Sequence, residues 1–161
     1  MPYKHIALIG LGLISSSIAL SLRRENSNVR ITGTSRSLET RTKAVQLGIC
    51  EVFESSVETV EGADLIVLCV PVGAMASVVK EFASTLEAGV TLTDVGSVKV
   101  EVIANVTPLL PKGINFIPGH PLAGTEHSGP DSGFSTLFDN RWCLLTPAKN
   151  SPNLSPDCSS T

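Results

Sequence analysis

The sequence contains no long apolar run, no cluster of basic residues and no closely spaced cysteines. Because no apolar stretch approaches the roughly 20 residues of a membrane-spanning helix, a transmembrane segment is not expected. The formal net charge of −3 and the lack of a basic run argue against nucleic acid or acidic membranes as partners. The N-terminus shows no signal-peptide pattern, since Pro2 to His5 lead directly into a predicted strand. A cytoplasmic protein is therefore expected.

Residues that could bind a metal ion are too scattered to predict a metal site. The cysteines are far apart, which indicates neither a zinc site nor a redox dithiol, and buried reduced thiols are expected. They are Cys50, Cys69, Cys143 and Cys158. Glu126 lies between His120 and His127, but this spacing does not place the three as ligands on one helix face. No bound metal is expected.

Short β-rich runs alternate with longer helical patterns, as is typical of a parallel sheet covered by helices. The predicted strands are 6–9, 29–33, 52–53, 65–70, 91–94, 115–118 and 142–145. The predicted helices are 13–24, 39–47, 73–86 and 99–109. Right-handed crossovers between successive strands then predict an α/β fold with a doubly wound, mostly parallel, Rossmann-like sheet. One dinucleotide-binding domain is predicted for 1–147, followed by a disordered tail, 148–161, rich in Ser, Pro and Asn.

The segment HIALIGLGLISSSIALSLRR, residues 5–24, places a glycine-containing turn between the first predicted strand and helix. In a βαβ unit the first glycine permits a tight turn, and the second lets backbone N–H groups approach a pyrophosphate at the helix N-terminus. Gly10 and Gly12 meet these requirements, and the small Ser15 takes the position of the third glycine. A purely structural turn is the alternative. The predicted cofactor-binding residues of the turn are Gly10, Gly12, Leu13 and Ile14.

The end of the second predicted strand bears on the choice of cofactor. An acidic residue about 20 positions after the third motif residue would hold the ribose 2′-hydroxyl of NAD, whereas an arginine favours the 2′-phosphate of NADP. That count leads to Ser35, in GTSRS, where no acid is present. Ser35 and Ser37 offer hydroxyl groups and Arg36 a planar cation suited to phosphate, so NADP is the predicted cofactor. The alternative is NAD, with Arg36 a solvated residue before the next helix.

Two polar segments, TDVGSVK at 93–99 and PGHPLAGTEHSGP at 118–130, begin at the carboxyl ends of predicted strands. Open α/β sheets bind their ligands there, so the two segments should converge. His120 lies in a loop fixed by glycine and proline and is a candidate general base, or else a structural histidine that caps a backbone group. Ser97 is a candidate N-cap for a helix starting at Val98. Lys99 is either a surface residue of that helix or a partner for a carboxylated ligand.

Four segments resemble the prephenate and arogenate dehydrogenases of the tyrosine pathway. They are IALIGLGLISSSIA, ADLIVLCVPVGA, TDVGSVK and GHPLAGTEHSG. The resemblance extends over roughly residues 5–147 and corresponds to the N-terminal dinucleotide-binding domain of that family. It implies oxidative decarboxylation of a cyclohexadienol, either prephenate or arogenate, in which hydride passes to NAD(P)⁺ and a base takes the proton of the ring hydroxyl.

The resemblance also assigns roles to individual residues. His120 matches the catalytic histidine of the family, and Ser97 matches the serine that orients it. Thr125 and Glu126 fall on positions that line the substrate pocket. Further cofactor-binding positions are Val70 and Pro71.

The sequence departs from the family at two places. Ser15 and Ser16 stand where the family usually has Gly-Gly or Gly-Ser. Family members also continue into a C-terminal helical dimerisation domain that closes over the substrate, whereas the apolar pattern here ends after Pro147. We therefore expect a truncated form with impaired activity, whose uncovered apolar face promotes association into a homo-oligomer. The alternatives are a non-catalytic NAD(P)-binding module and another Rossmann reductase, acting on imines or β-hydroxy acids.

Overall fold

The computed structural model of the chain describes residues 2–25 and 28–146. The tail expected at 148–161 lies outside the described residues. The strands are β1 (His5–Ile9), β2 (Arg30–Thr34), β3 (Glu51–Val52), β4 (Leu65–Leu68), β5 (Thr91–Asp94), β6 (Asn115–Phe116), β7 (Gly119–Pro121) and β8 (Cys143–Leu145). The α-helices are α1 (Leu13–Arg24), α2 (Leu38–Gln46), α3 (Ser56–Val60), α4 (Val72–Phe82) and α5 (Lys99–Val106). Short 3₁₀ helices span Ala83–Thr85, Thr107–Leu109 and Pro130–Ser132.

Six of the strands form one parallel sheet in the order β3-β2-β1-β4-β5-β6. The chain builds outward from β1 in one direction and then, from β4, in the other. This reversal leaves a crevice beside the carboxyl ends of β1 and β4, where doubly wound sheets bind their ligands. The predicted fold class is confirmed.

Both faces of the sheet are covered, as the alternation of side chains along β1 demonstrates. Ile6 and Leu8 pack on one face, in a cluster that includes Ala19 of α1 and Ala44 of α2. Ala7 and Ile9 point to the opposite face, in a cluster with side chains of α3, α4 and α5. Because successive strand residues point to opposite faces, a strand buried on both sides has to be apolar throughout, as β1 is after His5.

The segment that follows β7 packs against α1. The Phe134 N–H donates to Ser17 Oγ at 3.1 Å, and Ser21 Oγ donates to the Ser135 carbonyl at 2.9 Å. A Cβ atom on Gly133 would lie 2.5 Å from that of Ser16. The small side chains of Ser16 and Ser17 therefore permit a close approach that larger side chains would block.

Several elements differ from the sequence-based expectation. The strand predicted at 142–145 does not join the parallel sheet, because β8 pairs antiparallel with β7 in a separate two-stranded sheet. The strand predicted at 115–118 ends at Phe116, since Pro118 has no N–H to continue the ladder. Helix α3, with five residues, is too short to show helical periodicity in a sequence. The helix predicted at 73–86 ends at Phe82 and continues as a 3₁₀ turn.

The cysteines are not all buried, contrary to expectation. Cys50 and Cys69 are partly buried, and burial raises the pKa of each thiol to about 12. Cys143 is exposed because β8 lies in the small antiparallel sheet, outside the main core. Cys158 lies outside the described residues. Across 2–25 and 28–146, no helix has the length and apolar character needed to cross a membrane.

Candidate functional site

The turn between β1 and α1 requires glycine at its first position. Gly10 has a φ of +101°, and a Cβ atom there would lie 2.9 Å from the backbone of Cys69 and Val70. The next glycine differs, because a Cβ atom on Gly12 would meet nothing within 4 Å. Gly10 thus allows β1 and the chain after β4 to approach closely, whereas Gly12 leaves open space in front of the helix.

The N-terminus of α1 faces that open space. The first N–H groups of an α-helix lack intrahelical partners, and here these include the groups of Leu13 and Ile14. Ser15 folds back over the turn: its Oγ accepts from the Gly12 N–H at 2.8 Å and donates to the Gly12 carbonyl at 3.1 Å. The serine at the third motif position therefore stabilises the turn and leaves the helix N-terminus available to an anion.

A cavity of about 440 Å³ lies against this turn, at the carboxyl end of the sheet. Of the residues predicted to bind cofactor, it is lined by Gly10, Gly12, Ser35, Arg36, Val70 and Pro71. Leu13 and Ile14 are the first residues of α1 and do not line the cavity. Ser37 is not in the lining either, because its Oγ caps α2 by accepting from the Thr40 N–H at 3.2 Å. Six of the nine predicted cofactor-binding residues therefore line one cavity at the glycine turn.

The polar end of the cavity includes acidic residues that the sequence reasoning missed. Glu54 and Glu81 line it together with Arg36, although no acid follows β2 directly. An Arg36 guanidinium nitrogen lies 3.8 Å from Glu81 Oε1 and 3.4 Å from Ser77 Oγ. Spacing from the glycine motif could not have identified Glu81, because it reaches the cavity from α4.

A second polar cluster lies where β5 ends. Asp94 is 1% exposed, and its carboxylate accepts the Gly96 N–H at 2.9 Å and the Gly119 N–H at 3.3 Å. Lys99, at the start of α5, forms an ion pair with the same carboxylate and donates to the Gly119 carbonyl at 2.5 Å. The two polar segments predicted to converge therefore meet through this ion pair. Lys99 is engaged within the protein and is not a surface residue.

His120 follows Gly119 directly and is held in β7 opposite Leu144 of β8. It is partly buried, whereas Ser97 is exposed in the loop before α5. In the described residues, no hydrogen bond joins Ser97 to His120. The expectation that Ser97 is the N-cap of a helix starting at Val98 is wrong: Val98 is the N-cap, and α5 begins at Lys99.

Thr125 and Glu126 lie in the exposed loop after β7. The Thr125 hydroxyl accepts the His127 N–H at 3.2 Å, and a Glu126 carboxylate oxygen lies 3.7 Å from His127 Nε2. Neither residue lines the cavity at the glycine turn. The two residues share the loop that leaves the strand carrying His120.

A larger groove, of about 830 Å³, opens at the opposite ends of the strands. It is lined by residues such as Tyr3, Glu61, Asp64 and Glu87 and by none of the predicted site residues. Judged by volume alone, this groove would be the better candidate for a ligand site. The smaller cavity is the better candidate because it combines a helix N-terminus with the carboxyl ends of parallel strands.

Comparisons with known proteins identify the family of the chain. A family model described as prephenate dehydrogenase, nucleotide-binding domain, matches residues 18–159. Cyclohexadienyl dehydrogenase of Zymomonas mobilis is 43% identical over 152 residues, covering 93% of this chain and 51% of that protein. Prephenate dehydrogenase of Lactococcus lactis is 38% identical, covering 89% of this chain and 41% of that protein. The chain thus spans about half the length of the curated relatives it matches.

Solved structures show the same relationship. Prephenate dehydrogenase of Aquifex aeolicus, in complex with hydroxyphenyl propionate and NAD⁺, superimposes with a TM-score of 0.85 at 33% identity. That match covers 94% of this chain and 53% of the other. Synechocystis arogenate dehydrogenase gives 0.80 at 33% identity, covering 90% and 50%. A 3-hydroxyisobutyrate dehydrogenase and a pyrroline-5-carboxylate reductase, at 16% and 17% identity, share the fold alone. The chain therefore belongs to the prephenate dehydrogenase family and matches the nucleotide-binding domain of that family.

Proposed function

We propose that the chain forms the dinucleotide-binding part, residues 1–147, of a prephenate or arogenate dehydrogenase of tyrosine biosynthesis. The reaction is the oxidative decarboxylation of a cyclohexadienol. The observation that supports it is that the glycine turn after β1 and the segment carrying His120 lie at the same, carboxyl end of the parallel strands. A cofactor bound at the turn and a substrate beside His120 would then adjoin each other.

The residues around the turn fit a nicotinamide dinucleotide. Gly12 leaves room for a pyrophosphate, and the free N–H groups at the start of α1 would donate to it. Val70 and Pro71 would pack against the cofactor on the side of β4. When bound, the nicotinamide supplies the acceptor for the hydride that leaves the substrate ring. Cys69 also lines this cavity, and burial raises the pKa of its thiol to about 12, so the thiol stays protonated near neutral pH.

His120 is proposed as the general base. Its imidazole would take the proton of the ring hydroxyl while hydride leaves the ring carbon that bears this hydroxyl. Carbon dioxide then departs and the ring becomes aromatic. Ser97 is proposed to orient the imidazole, and Thr125 and Glu126 to contact the substrate. Removing a general base of this type lowers rate by about 10²- to 10⁴-fold.

The proposed cofactor preference is NADP over NAD. Arg36 lines the cavity and is three-quarters exposed, so its guanidinium can turn toward a 2′-phosphate. Arg36→Ala should weaken NADP⁺ binding by about 1–3 kcal/mol and leave NAD⁺ binding nearly unchanged. Equal binding of both cofactors by the unmodified protein would contradict this preference.

Calorimetric titration with each cofactor, combined with turnover assays on prephenate and arogenate, tests the proposed function. Binding together with turnover that His120→Ala abolishes would support it. Cofactor binding without turnover, even in a chain extended to the length of its relatives, would favour a non-catalytic nucleotide-binding module. Failure to bind either dinucleotide would refute both functions.

A further inference from the structure

Three separate elements meet at the polar end of the 440 Å³ cavity. Arg36 comes from the turn after β2, Ser56 begins α3, and Glu81 lies in the last turn of α4. Ser56 is 5% exposed, and its hydroxyl donates to Glu81 Oε2 at 2.6 Å. A nearly buried serine therefore fixes the Glu81 carboxylate at the cavity wall.

The second oxygen of that carboxylate faces Arg36. Oε1 of Glu81 lies 3.8 Å from the Arg36 guanidinium, which also contacts Ser77 Oγ at 3.4 Å. The other acid in the lining, Glu54, lies near a different cation, with its Oε1 3.5 Å from Arg41. Arg36 is thus paired with Glu81, and it would have to leave this partner in order to bind a phosphate.

We propose that Glu81 is a specificity-determining residue that competes with the 2′-phosphate of NADP for Arg36. This inference rests on the proposed cofactor site. A 2′-phosphate would approach a carboxylate that Ser56 prevents from turning away, and it would have to displace the ion pair already formed. Neither effect applies to NAD, whose ribose carries an uncharged hydroxyl at that position. Glu81 therefore reduces the preference for NADP that Arg36 alone would give.

Charge removal at Glu81 tests the inference through binding alone. Glu81→Gln keeps an oxygen that can accept from Ser56 but has no charge, so it should tighten NADP⁺ binding about two- to fivefold, as expected for a partly exposed ion pair. Binding of NAD⁺ should change less than about twofold. Isothermal titration of the 161-residue chain with NADP⁺ and NAD⁺ gives both constants. In an Arg36→Ala background the gain should shrink, because the competing pair no longer exists.

Glu87→Gln is the matched control, since Glu87 lies at the opposite ends of the strands and the change in net charge is the same. Equal tightening by both variants would reflect net charge only and overturn the inference. Weaker NAD⁺ binding by Glu81→Gln would overturn it as well, because Glu81 would then be accepting from the ribose hydroxyls.

A second variant covers the case in which Glu81→Gln does not fold. Ser56→Ala keeps the charge but frees the carboxylate to turn into solvent, and it too should tighten NADP⁺ binding. Loss of NADP⁺ affinity in Arg36→Ala, with no effect of either Glu81→Gln or Ser56→Ala, would overturn this inference and leave the cofactor site standing. If the unmodified chain bound neither dinucleotide, the proposed function and this inference would both be refuted.

Discussion

Lys99 forms an ion pair with the buried Asp94, and together they bind both backbone groups of Gly119. The carboxylate accepts the Gly119 N–H at 3.3 Å, and the ammonium donates to its carbonyl at 2.5 Å. Gly119 precedes the candidate base, His120. The end of β5, the start of α5 and the start of β7 are therefore joined by one pair of opposite charges.

The first prediction concerns this ion pair. Asp94→Asn should lower the free energy of unfolding by about 3–5 kcal/mol, because it leaves the largely buried Lys99 charge without its partner. The double variant Asp94→Asn/Lys99→Met should recover part of that loss, since no unpaired charge remains. Urea unfolding followed by circular dichroism measures both. An Asp94→Asn protein as stable as the unmodified chain would show that the pair contributes little.

The second prediction separates the two glycines of the turn. Gly10→Ala should destabilise the fold by at least about 1–3 kcal/mol, because a side chain at a φ of +101° is strained and would also clash with the backbone of Cys69. Gly12→Ala should alter stability by less than about 0.5 kcal/mol, since its Cβ meets nothing.

Binding should show the opposite contrast. The new methyl group of Gly12→Ala would project into the space proposed for the pyrophosphate, so dinucleotide affinity should fall by about tenfold or more. Thermal unfolding and calorimetric titration of the same two proteins test the pair. Unchanged affinity in Gly12→Ala would indicate that the turn is structural, which is the alternative that the sequence left open.

The parallel sheet could be predicted from the sequence because strands buried on both faces appear as short, continuous apolar runs. The strand predicted at 65–70 contains β4 in full, and the turn at Gly10 was located correctly. What the sequence could not give depends on contacts between distant residues. The convergence of 93–99 and 118–130 was predicted, but the hydrogen bond between Ser56 and Glu81, which are 25 positions apart, was not. Counting positions from the glycine motif cannot identify such a contact.

The third prediction concerns the reactivity of the thiols with pH. Burial raises the pKa of Cys50 and Cys69 to about 12, so both remain protonated in the folded protein at pH 8. The exposed Cys143 should therefore be alkylated by iodoacetamide before them, which peptide mapping by mass spectrometry would detect.

The free energy of unfolding should depend on pH because of the same pKa shifts. Because thiols in the unfolded chain ionise near pH 8.5, the stabilisation from the two neutral thiols is complete below that pH and is lost as pH rises toward about 12. Replacing Cys50 and Cys69 by alanine should remove this part of the alkaline loss. Labelling of Cys69 as rapid as that of Cys143 in the folded protein would contradict the assignment.

The last prediction concerns turnover by the 161-residue chain on its own. We expect it to convert prephenate or arogenate poorly, because a substrate held only at the carboxyl end of one sheet is neither enclosed from water nor fixed in orientation. The relatives are about twice as long, and the small β7–β8 sheet here carries exposed apolar side chains, including Leu144 and Leu145.

Joining the chain to the C-terminal half of Zymomonas mobilis cyclohexadienyl dehydrogenase should therefore raise turnover, and His120→Ala should abolish the gain. Because the proposed cofactor site consists of the turn at Gly10 and its cavity, titration should give similar dinucleotide affinity with and without the added half. Turnover by the unjoined chain equal to that of the fusion would mean that the 161-residue chain suffices for the reaction.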